Sequence, residues 1–256
     1  MSTTTPLHFG PSDAPLFGTY HGPGAPRPSS PGIVLCPPFG TEHLLSHALL
    51  LRVADTLAQE GYHVLRFDWT GSGDSAGDAE QVRLATWSAD LEAALDELRD
   101  MSGSNRLAVI GTGLGSAVAV QVAASRRDIR QVVAWDPVIR GADYLRWLSH
   151  VAREPAVLDA GRRDLVGVFG VPMPAPFRQE VMELDLTAQA AALGTRLTLV
   201  AIPSALGVFG AIPSANRIAL PEDVGTMERA LRSGHIMLEH RVSEALLAAI
   251  RQSVPC

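Results

Sequence analysis

The sequence predicts an α/β protein: a mostly parallel central sheet flanked by helices, with a helical cap inserted over one edge. Three observations carry this. Short apolar runs such as Gly32-Ile-Val-Leu-Cys36 read as strands buried on both faces. They alternate with segments of helical periodicity, the pattern of βαβ crossovers. Between Pro137 and Thr195 the alternation lapses for longer than a crossover needs, which places an insertion there. The division that follows is a core of residues 1–138 and 195–256 and a cap of residues 139–194.

Each element has its own reason. Residues 7–9 and 16–21 are strand candidates on either side of the turn Pro11-Ser12-Asp13, and Gly22 to Pro31 is a loop rich in Gly, Pro and Ser. After strand 32–36, Leu44, Leu45, Ala48, Leu49, Val53 and Leu57 recur at helical spacing until Gly61 stops them. His63–Asp68 is the next strand, 83–99 a second amphipathic helix and Arg106–Ile110 a third strand. A helix then opens near Gly115, followed by strand Gln131–Asp136. Beyond the cap, Arg196–Ile202 and Arg217–Leu220 return as strands, and Ile236–Arg251 closes the chain as a helix.

Composition removes several function classes. With 256 residues, 46% hydrophobic and 19% charged, the chain can bury one sizeable core. A net charge of −6 without any local basic cluster leaves no footprint for nucleic acid. All 21 basic residues are arginines, so this chain forms no lysine Schiff base and presents no P-loop lysine. Cys36 and Cys256 make no disulfide framework, and a reducing, cytoplasmic setting is expected. The opening Met1-Ser-Thr-Thr-Thr-Pro6 lacks the basic-then-apolar signature of a secretory signal. No apolar run approaches the roughly 20 residues that span a bilayer. No cofactor and no metal are expected, and monomer and homodimer both stay open.

The chemistry centres on residues 108–119, where an apolar strand meets the turn Gly111-Thr112-Gly113-Leu114-Gly115 and a helix of small residues. This is the layout of the nucleophile elbow G-x-S-x-G, in which a serine tops a parallel sheet. Gly113 holds the serine's place and has no side chain. The glycines also permit close strand–helix packing, and the two readings are compatible.

Three phrases resemble the α/β-hydrolases, closest to their serine-aminopeptidase-like branch: Leu35-Cys-Pro-Pro-Phe-Gly-Thr-Glu42, Leu65-Arg-Phe-Asp-Trp-Thr-Gly-Ser-Gly-Asp-Ser75 and Trp135-Asp-Pro-Val-Ile-Arg-Gly-Ala-Asp-Tyr144. The last resembles a subgroup that includes the exosortase-associated hydrolases, whose elbow residue is not always serine. The resemblance runs from about residue 7 to 252 and implies the fold strongly, the reaction only weakly. It implies that the loop after strand 32–36 is the oxyanion loop, where a backbone N–H of Phe39 or Gly40 joins that of Leu114 to hold a developing negative oxygen. A plain proline-rich turn is the other reading. The turn at 68–75 is expected to be loop architecture, without chemistry. Ser233-Gly234-His235 stands where the family's catalytic histidine precedes the last helix; a helix cap is the other reading.

The pattern departs at two places. Residues 204–216 after strand 196–202 contain no carboxylate, and Glu222 and Asp223 come late for the usual acid. Asp136, at the end of the preceding strand, can orient His235 through its ring N–H, or simply cap the turn before Pro137. Nor does another nucleophile replace the serine. The hydroxyls of Thr112 and Ser116 flank the turn and should point elsewhere, and Cys36 reads as a small buried apolar residue.

Two readings follow, with a third beside them. In the first, His235 oriented by Asp136 acts as general base on a small or medium acyl or carbonyl substrate while the backbone hole stabilises an oxyanion, by hydrolysis or a lyase- or cyclase-like step. In the second, an inactive pseudo-hydrolase binds a ligand or partner. In the third, the chain is a serine esterase or thioesterase in which Gly113 is an engineered replacement of the serine, made to trap a substrate. In the cap, Tyr144, Trp147, Leu148, Val168, Phe169, Val171, Met173 and Phe177 either line an apolar substrate pocket, with Tyr144, Trp147, Phe169 and Met173 as its binding residues, or form the cap's own core.

Overall fold

The computed structural model describes residues 2–24, 30–159, 165–206, 212, 214–222, 231–232 and 240–256. His235 and Asp223 lie outside the described residues, as do 25–29 of the loop after the second strand and 236–239 of the expected last helix.

Among the described residues eight strands form the main sheet: β1 (Thr3–Phe9), β2 (Leu16–Gly22), β3 (Gly32–Cys36), β4 (His63–Phe67), β5 (Leu107–Thr112), β6 (Ile129–Trp135), then β9 (Leu197–Ala201) and β10 (Asn216–Ala219) after the segment 139–194. Their order is β1-β2-β4-β3-β5-β6-β9-β10. β1–β2 and β2–β4 pair antiparallel, with Phe9 opposite Leu16 and Gly18 opposite Phe67. Every other pairing is parallel, as alternation with helices requires. β1 begins earlier than its apolar residues suggest. Thr3, Thr4 and Thr5 are exposed on an edge, where backbone hydrogen bonds to β2 hold them without burial.

Helices α1 (Gly40–Gln59), α2 (Leu84–Ser102) and α3 (Leu114–Ser125) make the crossovers, and α8 (His240–Ser253) closes the chain. Strand side chains divide the core by their alternation. Ile33, Leu35, Ala108, Ile110, Val133 and Trp135 pack with α1 and α8. Val34, Cys36, Leu107, Val109, Val132 and Ala134 pack with α2 and α3. Near-continuous apolar strands follow from burial on both faces.

The segment expected to be a helical cap holds α4 (Gly141–Ala152), α5 (Ala175–Glu183) and α6 (Thr187–Leu193), but also an antiparallel hairpin, β7 (Val166–Val168) and β8 (Val171–Met173). Its two-residue turn, Phe169-Gly170, has positive φ at both positions, 50° and 82°, the backbone a tight hairpin selects. Phenylalanine is an unusual occupant there, which hides the turn from sequence. A further four-residue helix, α7 (Pro203–Leu206), follows β9.

Candidate active site

Gly113 is the only residue between β5 and α3, and it reverses the chain with φ +52° and ψ −128°. Its N–H donates to Trp135 O at 3.0 Å, and its carbonyl accepts from Ser116 N at 3.0 Å and Ser116 Oγ at 2.6 Å. The flanking glycines serve packing. A Cβ on Gly115 would stand 2.3 Å from Pro37 O, and one on Gly111 2.4 Å from Ser116 Cα. Gly113 differs, because a Cβ there would meet side chains: Glu42 Oε2 at 2.7 Å and Pro38 Cβ at 3.1 Å. The place a serine side chain would take is filled by a carboxyl group.

That carboxyl belongs to the first turn of α1, where Glu42 is only 3% exposed. Tyr144 Oη, from α4, donates to its Oε1 at 3.0 Å. Burial pushes the Glu42 carboxyl up to about 8; the Tyr144 hydrogen bond opposes this and the nearby Asp136 charge adds to it. The Tyr144 hydroxyl is itself held well above its ordinary range by burial and by Glu42. Glu42 stands in line with Leu45, Ser46, Leu49 and Val53, all buried on one face of α1. The apolar pattern instead suggested Leu44, which is 71% exposed. The helix begins at Gly40, so its buried stripe reaches back to Glu42. That spacing was the signal available in the sequence.

Asp136 follows β6 with φ +46°, a conformation that L-residues adopt at a cost of order 1 kcal/mol and that aspartate tolerates better than most. Its N–H donates to Val200 O at 2.9 Å. Part of its surface stays open, yet the protein packed around it pushes its carboxyl up to about 7. Two carboxyls with raised proton affinity therefore sense each other beside the elbow. The relation of His235 or Asp223 to them lies outside the described residues.

Among the described residues no other nucleophile is offered. Ser116 Oγ donates to Gly113 O and accepts from Val138 N at 2.9 Å, tying the elbow to the chain after β6. Thr112 Oγ1 is buried without a hydrogen bond among the described residues. Cys36 is buried in β3, where burial drives its thiol well up and keeps it protonated. No group of three or more His, Cys, Asp or Glu among the described residues is arranged to hold a metal ion.

Gly40 and Leu114 are the first residues of α1 and α3, where backbone N–H groups have no acceptor within the helix. The Phe39 ring is buried and stacks on Phe177 with centroids 5.4 Å apart. Val171 of the hairpin covers Gly40, its Cγ1 3.2 Å from where a Cβ would stand. The four expected substrate-binding residues separate. Tyr144 and Trp147 are neighbours, with ring centroids 5.8 Å apart. Met173 is fully buried with Phe177 and Leu148 in the main apolar cluster. Phe169 occupies the two-residue hairpin turn and is 38% exposed, so it is apart from the buried Met173. In the loop at 68–75, Ser75 Oγ donates to Asp68 O at 2.6 Å and Asp68 Oδ2 accepts from Asp74 N at 3.1 Å, side chains fastening backbone.

Comparison with known proteins shows what the chain is similar to. Residues 43–159 match the family model described as serine aminopeptidase, S33. Over 116 residues the chain is 31% identical to the palmitoyl-protein thioesterase ABHD10, mitochondrial, of Homo sapiens, a match covering 45% of this chain and 35% of that protein. The match thus spans about a third of the length of the curated relative. Among solved structures, Est1E from Butyrivibrio proteoclasticus, bound to ferulic acid, superposes with a TM-score of 0.72 at 16% identity, covering 98% of this chain and 100% of that one. The Pyrococcus furiosus esterase Pf2001 gives 0.65 at 17% identity, covering 98% and 91%. At such identities the likeness is one of fold. Among the described residues no helix is long and apolar enough to cross a membrane.

Proposed function

We propose that this chain, which has the α/β-hydrolase fold and matches the serine-aminopeptidase model over residues 43–159, is an enzyme acting on a small or medium acyl or carbonyl substrate without a covalent intermediate. The observation that carries the reading is the elbow itself. Its backbone keeps a sharp strand-to-helix reversal while Gly113 supplies no nucleophile, and two carboxyls of raised proton affinity stand beside it. His235, oriented by Asp136, would take a proton from water or from the substrate, and N–H groups of Phe39 or Gly40 and of Leu114 would hold the oxyanion. A hydrolytic step fits the esterase and thioesterase relatives best. Glu42 fits against a glycine at 113, which supports glycine as the residue this site is built around. Two free thiols, Cys36 and Cys256, fit a reducing compartment such as the cytoplasm.

The test compares wild type with His235→Ala and Asp136→Asn on a panel of short acyl esters and thioesters. Both variants should fall by roughly 10²–10⁴-fold in kcat/KM, the usual weight of a general base. Equal turnover in all three proteins would remove the dyad from the mechanism. One observation favours a binding role instead: the Glu42 carboxyl occupies the space above the elbow. Saturable binding of an acyl ligand by a wild-type protein that turns over nothing on the panel would establish that role.

A further inference from the structure

We propose that Glu42 is the proton donor of this site: its carboxyl, lodged against Gly113 where a serine side chain would stand, delivers the proton that the leaving group needs. The inference rests on the preceding reading, in which water attacks the acyl carbon directly, and names a residue which that reading leaves unused.

The geometry is specific. Tyr144 Oη fixes Oε1, and Oε2 is the oxygen turned toward Gly113, where it has no hydrogen-bond partner among the described residues. A buried carboxyl with one oxygen anchored by Tyr144 and the other beside Gly113, 2.7 Å from where a Cβ would stand, is built to hold a proton there. Burial raises the proton affinity of Glu42 and so keeps that proton on at neutral pH. Among the described residues the ionisable groups that face Glu42 are Tyr144 and Asp136.

The step balances as follows. The water oxygen bonds to the carbonyl carbon as His235 takes one water proton, and the carbonyl oxygen becomes the oxyanion. On collapse the carbonyl re-forms, the bond to the leaving oxygen or sulfur breaks, and Glu42 gives its proton to that atom. Exchange with solvent then removes the proton from the base and restores the one on Glu42. The sum is ester or thioester plus water going to acid plus alcohol or thiol. Tyr144 is a positioning residue: it orients the carboxyl and does not touch the substrate.

The experiment uses two esters of one short acyl group, a p-nitrophenyl ester whose leaving group needs no proton and an alkyl ester whose leaving group does. Glu42→Gln, which keeps shape and hydrogen bonding but has no acidic proton, should lose at least 10²-fold more on the alkyl ester than on the p-nitrophenyl ester. In wild type, alkyl-ester kcat/KM should fall as pH rises past about 8, where Glu42 ionises, and Glu42→Gln should lack that limb. Tyr144→Phe should move the limb to higher pH, since the hydrogen bond it removes favours the ionised carboxyl; it carries the test if Glu42→Gln fails to fold by circular dichroism. Equal losses on both esters, no loss on either, or a limb that Tyr144→Phe leaves in place would overturn the role of Glu42. If Asp136→Asn and His235→Ala still lower kcat/KM by roughly 10²–10⁴-fold in that case, the preceding reading survives alone. A wild type inactive on both esters overturns both.

Discussion

At the level of single residues, Gly113 and Glu42 have to be considered as a pair. A side chain at 113 would enter a backbone conformation that L-residues adopt under strain, and its Cβ would press on Glu42 Oε2 at 2.7 Å. Gly113→Ser should therefore lose about 1–3 kcal/mol of stability in urea unfolding and stay unlabelled by a fluorophosphonate. Glu42→Ala/Gly113→Ser clears the space and should be labelled. Labelling of the single variant as fast as the double would show that Glu42 does not occupy the position. The missing serine was plain in the sequence, since a motif with a glycine at its centre announces itself. Glu42 was not, because a carboxylate in the first turn of a helix is ordinarily solvated. Only its three- and four-residue spacing from Leu45 and Ser46 marked it as inward-facing. Asp136 was legible from its place at a strand end, although its left-handed backbone was not.

Among the elements, the position of α3 against the ends of β3 and β5 decides whether a site exists at all. Gly115 lets the first turn of α3 lie on the Cys36-Pro37 backbone, and Gly111 lets β5 pass under Ser116. Gly115→Ala would put a methyl group 2.3 Å from Pro37 O and should cost several kcal/mol, about 2–4, as overpacking against backbone does. Gly103→Ala is the control. It ends α2 in a left-handed conformation with nothing near its missing side chain, and should cost only about 1 kcal/mol. Equal urea midpoints for the two variants would refute the packing argument. Strands β3, β5 and β6 were legible because burial on both faces leaves nearly unbroken apolar runs. The polar start of β1 was not, since its pairing is backbone alone, and neither was hairpin β7–β8, whose turn carries phenylalanine where glycine or asparagine is usual.

For the whole molecule, the two raised carboxyls tie stability to pH. Folded Glu42 keeps its proton to about pH 8 and Asp136 to about pH 7, against ordinary values of 4.5 and 3.8. Between those limits the unfolded chain has lost protons that the folded one still holds, so each group removes stability as pH rises and none below its ordinary value. His21, His43 and His63, lowered first of all by burial, act on the other side and remove stability as pH falls below about 6.5. Relative to wild type, Glu42→Gln should gain stability steadily from about pH 5 to pH 8, by a few kcal/mol at most, and level off above. Urea midpoints for the two proteins that run parallel across this range would contradict a buried, protonated Glu42. The parallel sheet with its crossovers was readable at this scale because alternation is periodic over most of the chain. The make-up of residues 139–194 was not, because α4, the hairpin and α5 have no common period.

An elbow without a side chain also bears on how the reaction would look in time. With no hydroxyl to carry the acyl group, an enzyme of the proposed kind never stores half of its reaction. The first turnover would release alcohol and acid together, with no initial burst of the alcohol. Added methanol or hydroxylamine would find no acyl group waiting to be diverted. Such a protein would be a hydrolase unable to serve as a transferase, and it would pass unseen through any survey that identifies its relatives by trapping them on their serine.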